Sequence, residues 1–307
     1  MVIQKNCYNT NIKNPEPFLA RVIIAGKWDG KPNDANKLLR SIYQIWLKED
    51  IKVKFLITCG GFIQFNWPSH ISKEDIGDNL YPNPDVIEML VEEAENNIKS
   101  VLTKGLCNRL KNVTDYITIG IDGHNGEISD LSKEKTQNYL NKPHIELVCL
   151  IDLRYNEFYW TGKSYPTSNQ ERGLVRITNL KSHFLSLGDD EKVMILGCHD
   201  LNIFNPRSKN AKKDWRRKVR GKFRKLAQRE KPTIVLHHPH STVKVRTWLN
   251  AWRYMRKLLP SVKKYAGAGR YYESWRKFSE YDPLNYVLPY TKCGDTIDYI
   301  VRPEIQV

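Results

Sequence analysis

Short apolar runs rich in β-branched residues alternate along the chain with stretches whose apolar residues recur every three to four positions. That alternation, more than anything else, limits what the chain can fold into. Residues 21–26 (RVIIAG), 53–59 (VKFLITC), 116–121 (YITIGI), 145–153 (IELVCLIDL), 192–197 (KVMILG) and 233–237 (TIVLH) read as strands. Residues 36–48, 84–104, 207–231 and 247–259 read as helices, the first with apolar side chains at 38, 39, 42, 43, 45 and 46. Residues 158–162 read as a hairpin partner of 145–153. Strands interleaved with helices predict an α/β architecture. Strands that run into Gly, Asp or Cys place a site at the carboxyl ends of a sheet.

The sequence has 307 residues, and Gly and Pro together make up about a tenth of them, so low complexity is excluded. No apolar run reaches the ~18 residues that a membrane-spanning helix needs, and the first residues do not have the pattern of a secretory signal. Six cysteines stand at 7, 59, 107, 149, 198 and 293 without a C-x-x-C pair. Reduced thiols and a cytoplasmic location are expected, with no cofactor and no metal. We divide the chain into an N-terminal extension (1–20), an α/β domain (21–277) and a C-terminal tail (278–307).

Charge is unevenly placed. The formal net charge is +15, and residues 207–277 hold 23 Lys and Arg against 3 Asp and Glu. Val219, Phe223 and Leu226 recur at helical spacing inside this block, with Trp215 a turn earlier, so a helix with a cationic outer face is predicted. Such a face suits an acidic partner, whether nucleic acid, a nucleotide-like ligand or an acidic protein surface. Arg and Tyr interleave around 266–278 (AGAGRYYESWRKF), a composition suited to core or interface packing and also to base stacking.

Two passages carry the chemistry: 160–174 (WTGKSYPTSNQERGL) and 193–207 (VMILGCHDLNIFNPR). In the second, a hydrophobic strand runs straight into Cys198-His199-Asp200. A cysteine at such an exit, with backbone N–H groups beyond it, favours a thiolate and an oxyanion site. His237-His238-Pro239-His240, taken with Asp122 and His124, also evokes a dimetal phosphoesterase. Gly188-Asp189 and Gly197 flank a single strand, which disfavours that reading.

At LGCHDLNIFNP and GKSYPTSNQE the sequence resembles the nitrilase, or carbon–nitrogen hydrolase, superfamily, whose nucleophile strand ends in a pattern like I-C-x-D-L-x-F-P. The resemblance implies a nitrilase-like αββα sandwich, often joined into oligomers through one face. It makes Cys198 the nucleophile of a covalent adduct and Lys163 the group that stabilises the tetrahedral intermediate. The backbone N–H of His199 would share the oxyanion hole, and Glu171 would be a positioning glutamate. The implied activity is C–N hydrolysis, or an amidase or transferase reaction, on a small amide- or nitrile-like substrate. The family's general base is a glutamate after the second strand, where this chain has Gly60-Gly61. No carboxylate lies between residues 57 and 72. Asp122 is the expected substitute, within hydrogen-bond reach of Cys198, and His199, His238 and His240 are second candidates for that role and expected binding residues. The alternative is a degenerate member of the fold that binds or oligomerises, using its basic surface for nucleic acid or another acidic partner.

Overall fold

Leu19–Ala25 (β2) is buried at all seven positions, the mark of a parallel strand covered on both faces. In the computed structural model, which describes residues 1–7, 17–125, 142–168, 170–188, 190–206, 213–240, 245–271, 288–293 and 295–303, this strand lies within a large mixed sheet. The same sheet includes β1 (Val2–Cys7), β3 (Val53–Ile57), which pairs with β2, and β4 (Ile63–Asn66). A small hairpin, β5 (Gly77–Asp78) and β6 (Tyr81–Pro82), stands apart. The large sheet continues with β7 (Thr114–His124), β8 (His144–Asp152), β9 (Glu157–Gly162) and β10 (Leu174–Val175). The second sheet holds β11 (Phe184–Ser186), β12 (Lys192–Leu196), β13 (Ile234–His237) and β14 (Lys264–Gly267), in that order. Finally β15 (Arg270–Tyr271) and β16 (Thr296–Arg302) return to the large sheet beside β2.

The helices are α1 (Pro32–Glu49), α2 (Lys73–Ile76), α3 (Pro84–Val101), α4 (Lys104–Leu110), α5 (Asp214–Glu230) and α6 (Val245–Leu258). Pro32 and Pro84 open α1 and α3, where the missing N–H costs no hydrogen bond. Three buried clusters define the layers. Leu38, Ile42 and Trp46 of α1 and Leu90 and Ile98 of α3 pack on one face of the large sheet, against Val22, Ile117 and Cys149. The opposite face of that sheet, with Ile23, Phe55, Val148 and Leu150, meets Val193, Ile195, Ile234 and Leu236 of the second sheet. The outer face of the second sheet, with Met194, Leu196 and Val235, is covered by Val219 and Phe223 of α5 and Trp248, Trp252 and Met255 of α6. Helices, sheet, sheet and helices therefore stack in four layers, the αββα sandwich expected from the sequence.

The segments set apart above as extension and tail each supply a strand to the large sheet. β16 lies between β1, antiparallel, and β2, parallel. Its inclusion satisfies the backbone of β2 along an edge that would otherwise be open. The hairpin of β8 with β9 pairs Leu147 with Gly162, as read from the sequence. Residues 207–212 of the basic block and 272–278 of the aromatic stretch lie outside the described residues.

No described helix is long and apolar enough to cross a membrane.

Candidate active site

Register brings the charged groups together. In the β7–β8 ladder Asp122 stands directly opposite Glu146, so both carboxylates project from one face of the sheet. Like charges in that position repel, and two cations answer them. Lys163 follows β9, where its backbone N–H donates to the Glu146 carbonyl. Its ammonium reaches both Glu146 oxygens at 2.8 Å and Gln170 Oε1 at 2.6 Å. Gln170 Nε2 in turn donates to Glu146 Oε1 at 2.8 Å. His240, beyond β13, places Nε2 2.6 Å from Asp122 Oδ2 and Nδ1 3.6 Å from Glu146 Oε2. Its imidazole thus lies between the two carboxylates.

The sulfur of Cys198 belongs to the same cluster. One ligand atom from each of Glu146, Cys198 and His240 lies within 4.8 Å of the others. The backbone N–H of His240 donates to Cys198 Sγ at 3.3 Å. These three side chains resemble a metal-ligand set, but the Lys163 ammonium already engages both Glu146 oxygens. The cluster therefore reads as an ion-pair network rather than a metal centre.

Electrostatics follow from this packing. Burial opposes the Glu146 charge, but Lys163, His240 and His144 outweigh it and hold its carboxyl below the ordinary range. Burial likewise opposes the Lys163 charge, and Glu146 with Cys198 more than offsets it, so the ammonium is held above its ordinary value. For His240, burial is overcome by Asp122, Glu146 and Cys198, and the imidazolium persists well above the usual histidine value. Each charge in the site is thus stabilised by an opposite one at short range.

Asp200 fixes the Cys198 turn to the Lys163 loop. Its Oδ1 accepts the N–H groups of Ser164 and Tyr165 at 3.0 and 2.8 Å, and its Oδ2 accepts that of Gly197 at 3.0 Å. Gly197 permits the approach, since a Cβ there would lie 3.1 Å from Lys163 Cα. His237 Nε2 lies 2.8 Å from the Cys198 carbonyl and steadies the turn from β13.

The structure brings Cys198, Lys163, Asp122 and His240 together. Asp122 joins the cluster through His240, which stands between it and the sulfur, rather than by the direct contact with Cys198 anticipated above. His199 lies half-buried at the turn, accepting from Asn202 Nδ2 at 3.1 Å, and burial pushes it down to about 3. His238 is turned away, with Nδ1 2.8 Å from the Thr58 carbonyl, and burial pushes it down to about 3. Glu171 stands outside the cluster because Lys213 and Arg216 of the basic segment hold its carboxylate. Its neighbour Gln170 faces Lys163 instead.

Glu146 was missed from the sequence. The available signal was a glutamate inside an otherwise apolar strand, because such a residue is rarely buried unless paired. The positions of Gly60 and Gly61 explain why a carboxylate comes from elsewhere. A Cβ on Gly60 would lie 2.8 Å from the His238 carbonyl oxygen and 3.0 Å from His240 Nδ1. One on Gly61, whose φ is +59°, would lie 2.5 Å from Asp122 Oδ2. The His240–Asp122 pair occupies the space into which side chains from this turn would project.

Fold and cluster together define a four-layer α/β sandwich with a cysteine, a lysine and carboxylates converging at strand ends. Among solved structures, a cysteine-to-alanine mutant of the Nesterenkonia AN1 amidase from the nitrilase superfamily is similar to 85% of this chain, over 79% of its own, at 10% identity and a TM-score of 0.46. A glutamate-to-glutamine mutant of that amidase, showing covalent addition of the acetamide moiety of fluoroacetamide at the active-site cysteine, gives the same identity, coverage and TM-score. The carbon–nitrogen hydrolase from Helicobacter pylori G27 is similar over 82% of this chain and 73% of its own, at 10% identity and a TM-score of 0.41. No protein-family model matches the chain, and no curated protein matches it. At such identity the likeness is one of fold, and the chemistry of this chain rests on its own side chains.

Proposed function

We propose that the protein hydrolyses a C–N bond of a small amide through a covalent adduct on Cys198. The observation that carries this reading is the convergence of Glu146, Cys198 and His240 within 4.8 Å, beside the buried Lys163. Glu146 accepts the thiol proton as sulfur attacks the carbonyl carbon. The Lys163 and His240 charges and the His199 N–H oppose the negative charge that develops on oxygen. The imidazolium of His240 then gives its proton to the departing nitrogen, the C–N bond breaks and a thioester remains. Neutral His240 takes a proton from water, hydroxide attacks the thioester, and the leaving sulfur recovers its proton from Glu146. The two carboxylates divide the work. Glu146 handles the sulfur proton, and Asp122 holds the imidazole in place and charged.

The test combines labelling with turnover. A mild thiol electrophile at neutral pH should mark Cys198 ahead of Cys59, Cys107, Cys149 and Cys293, and the preference should vanish in Lys163→Ala. A panel of small amides should release ammonia, with Glu146→Gln reducing the rate by roughly 10²–10⁴-fold. Slow labelling of every accessible cysteine alike, indifferent to Lys163, would sink the proposal.

A further inference from the structure

The two outer helical layers differ sharply in charge: basic residues of α1 and α4 offset the acidic α3, whereas α5 and α6 hold a large positive excess. On one side, α3 presents Asp85, Glu88, Glu92, Glu93 and Glu95 against a single Lys99. On the other, α5 carries Lys218, Lys222, Lys225 and Arg229, all exposed, at the i, i+4, i+7, i+11 spacing of one helix face. In the same layer α6 carries exposed Arg246, Arg253 and Lys257 at i, i+7 and i+11. Each row extends about 16 Å at 1.5 Å per residue. Lys218 and Arg229 have acidic neighbours on their own helix, Asp214 and Glu230. Among the described residues no carboxylate pairs with Lys222, Lys225, Arg246, Arg253 or Lys257. The positive excess is therefore confined to one of the two outer layers, a distribution that a coat serving solubility alone does not require.

A groove of about 570 Å³ opens beside the α6 row. Arg253, Arg256 and Lys257 line one part of it, and Tyr290, with 53% of its surface exposed, lines another. A cationic groove with an accessible aromatic ring combines the two elements that hold single-stranded nucleic acid: charge for phosphates and a flat face for a base. An acidic protein surface would use the charges but has no need of the ring.

We propose that the α5–α6 layer binds single-stranded nucleic acid, with phosphates along the two cationic rows and a base stacked on Tyr290 in the adjoining groove. This surface is distinct from the Cys198 cluster and independent of the reaction proposed there.

Fluorescence anisotropy of the full chain with a labelled 20-nucleotide oligo-dT, between 50 and 300 mM KCl, tests the assignment. A double-stranded DNA of equal length and a poly-glutamate peptide serve as comparators. Binding should weaken steeply with salt, with a log–log slope that becomes shallower by about 0.7 for each phosphate contact removed. The pairs Lys222→Glu/Lys225→Glu and Arg253→Glu/Lys257→Glu should each weaken binding at least tenfold. Tyr290→Ala should weaken it several-fold without altering the slope, and all variants should keep the wild-type circular dichroism spectrum and Cys198 labelling rate. Absence of oligo-dT binding at 50 mM salt overturns the proposal. So does equal or tighter binding of the duplex or the peptide, or indifference to Tyr290→Ala. Salt-sensitive self-association without oligonucleotide binding would overturn it too, assigning the face to the acidic α3 helix of a second copy instead.

Discussion

His240 shows how much one side chain can carry here. It lies between two carboxylates that strand register places opposite each other, and its own backbone N–H donates to the Cys198 sulfur. Because its folded-state value is raised, its proton contributes stability in full below the ordinary histidine value of about 6.5 and loses it as pH climbs through the higher folded value. His240→Gln should therefore cost about 3 kcal/mol near neutrality, where it leaves Asp122 and Glu146 without the cation between them. Urea unfolding of both proteins from pH 5 to 10 checks this. The gap should be widest below about pH 6.5 and close toward alkaline pH, and a pH-independent gap would show that the imidazole is uncharged. Lys163 and Cys198 were legible because each lies in a local pattern. Glu146 was not, since nothing local to it marks the approach of Cys198 and His240, which come from the second sheet.

At the scale of elements, the site depends on a seam between the two sheets. Lys163 leaves β9 of the large sheet and Cys198 leaves β12 of the second, and the Asp200 carboxylate holds both exits through three backbone N–H groups. Burial pushes its carboxyl upward, and the surrounding donors and cations pull against that shift. Asp200→Asn presents an amide that cannot accept all three, leaving a buried N–H unsatisfied at a cost of about 1–3 kcal/mol. We expect the variant to stay folded, to lose that much stability in urea titration, and to lose the selective labelling of Cys198 while slow labelling of the other cysteines is unchanged. Selective labelling at the wild-type rate would mean that Asp200 does not position the thiol. The longer helices and strands between 21 and 259 could be read from periodicity and apolar runs, whereas short elements such as β4, α2, α4, β10 and β11 are too brief to show a period. Asp200 was visible as part of C-H-D, but its role was not, because its partners belong to a different sheet.

For the whole molecule, the decisive fact is that β16 lies within the large sheet, not beyond it. The sequence suggested a tail because residues 278–307 are separated by composition from the basic block, and nothing local marks the parallel pairing of 296–301 with 19–24. The side chains that secure that pairing are charged and fully buried. Arg21 on β2 donates to Asp298 Oδ1 at 2.6 Å and to the carbonyl oxygens of Gly267, Leu288 and Thr291 at 2.7, 2.7 and 3.1 Å. Lys292 Nζ donates to Asp298 Oδ2 at 3.0 Å. One carboxylate therefore neutralises two cations and links β2, β14 and β16 across both sheets. Removing it strands two buried positive charges, whereas replacing the Arg21–Asp298 pair together by apolar residues removes much of that penalty. Asp298→Leu should lower the unfolding free energy by about 3–5 kcal/mol, and Arg21→Met/Asp298→Leu by clearly less, so the double-mutant cycle should return a large coupling. Additive losses in urea unfolding would mean that the pair does not hold the terminal strand in the sheet, and packing of Tyr299 against Trp46 on the other face would have to do so instead.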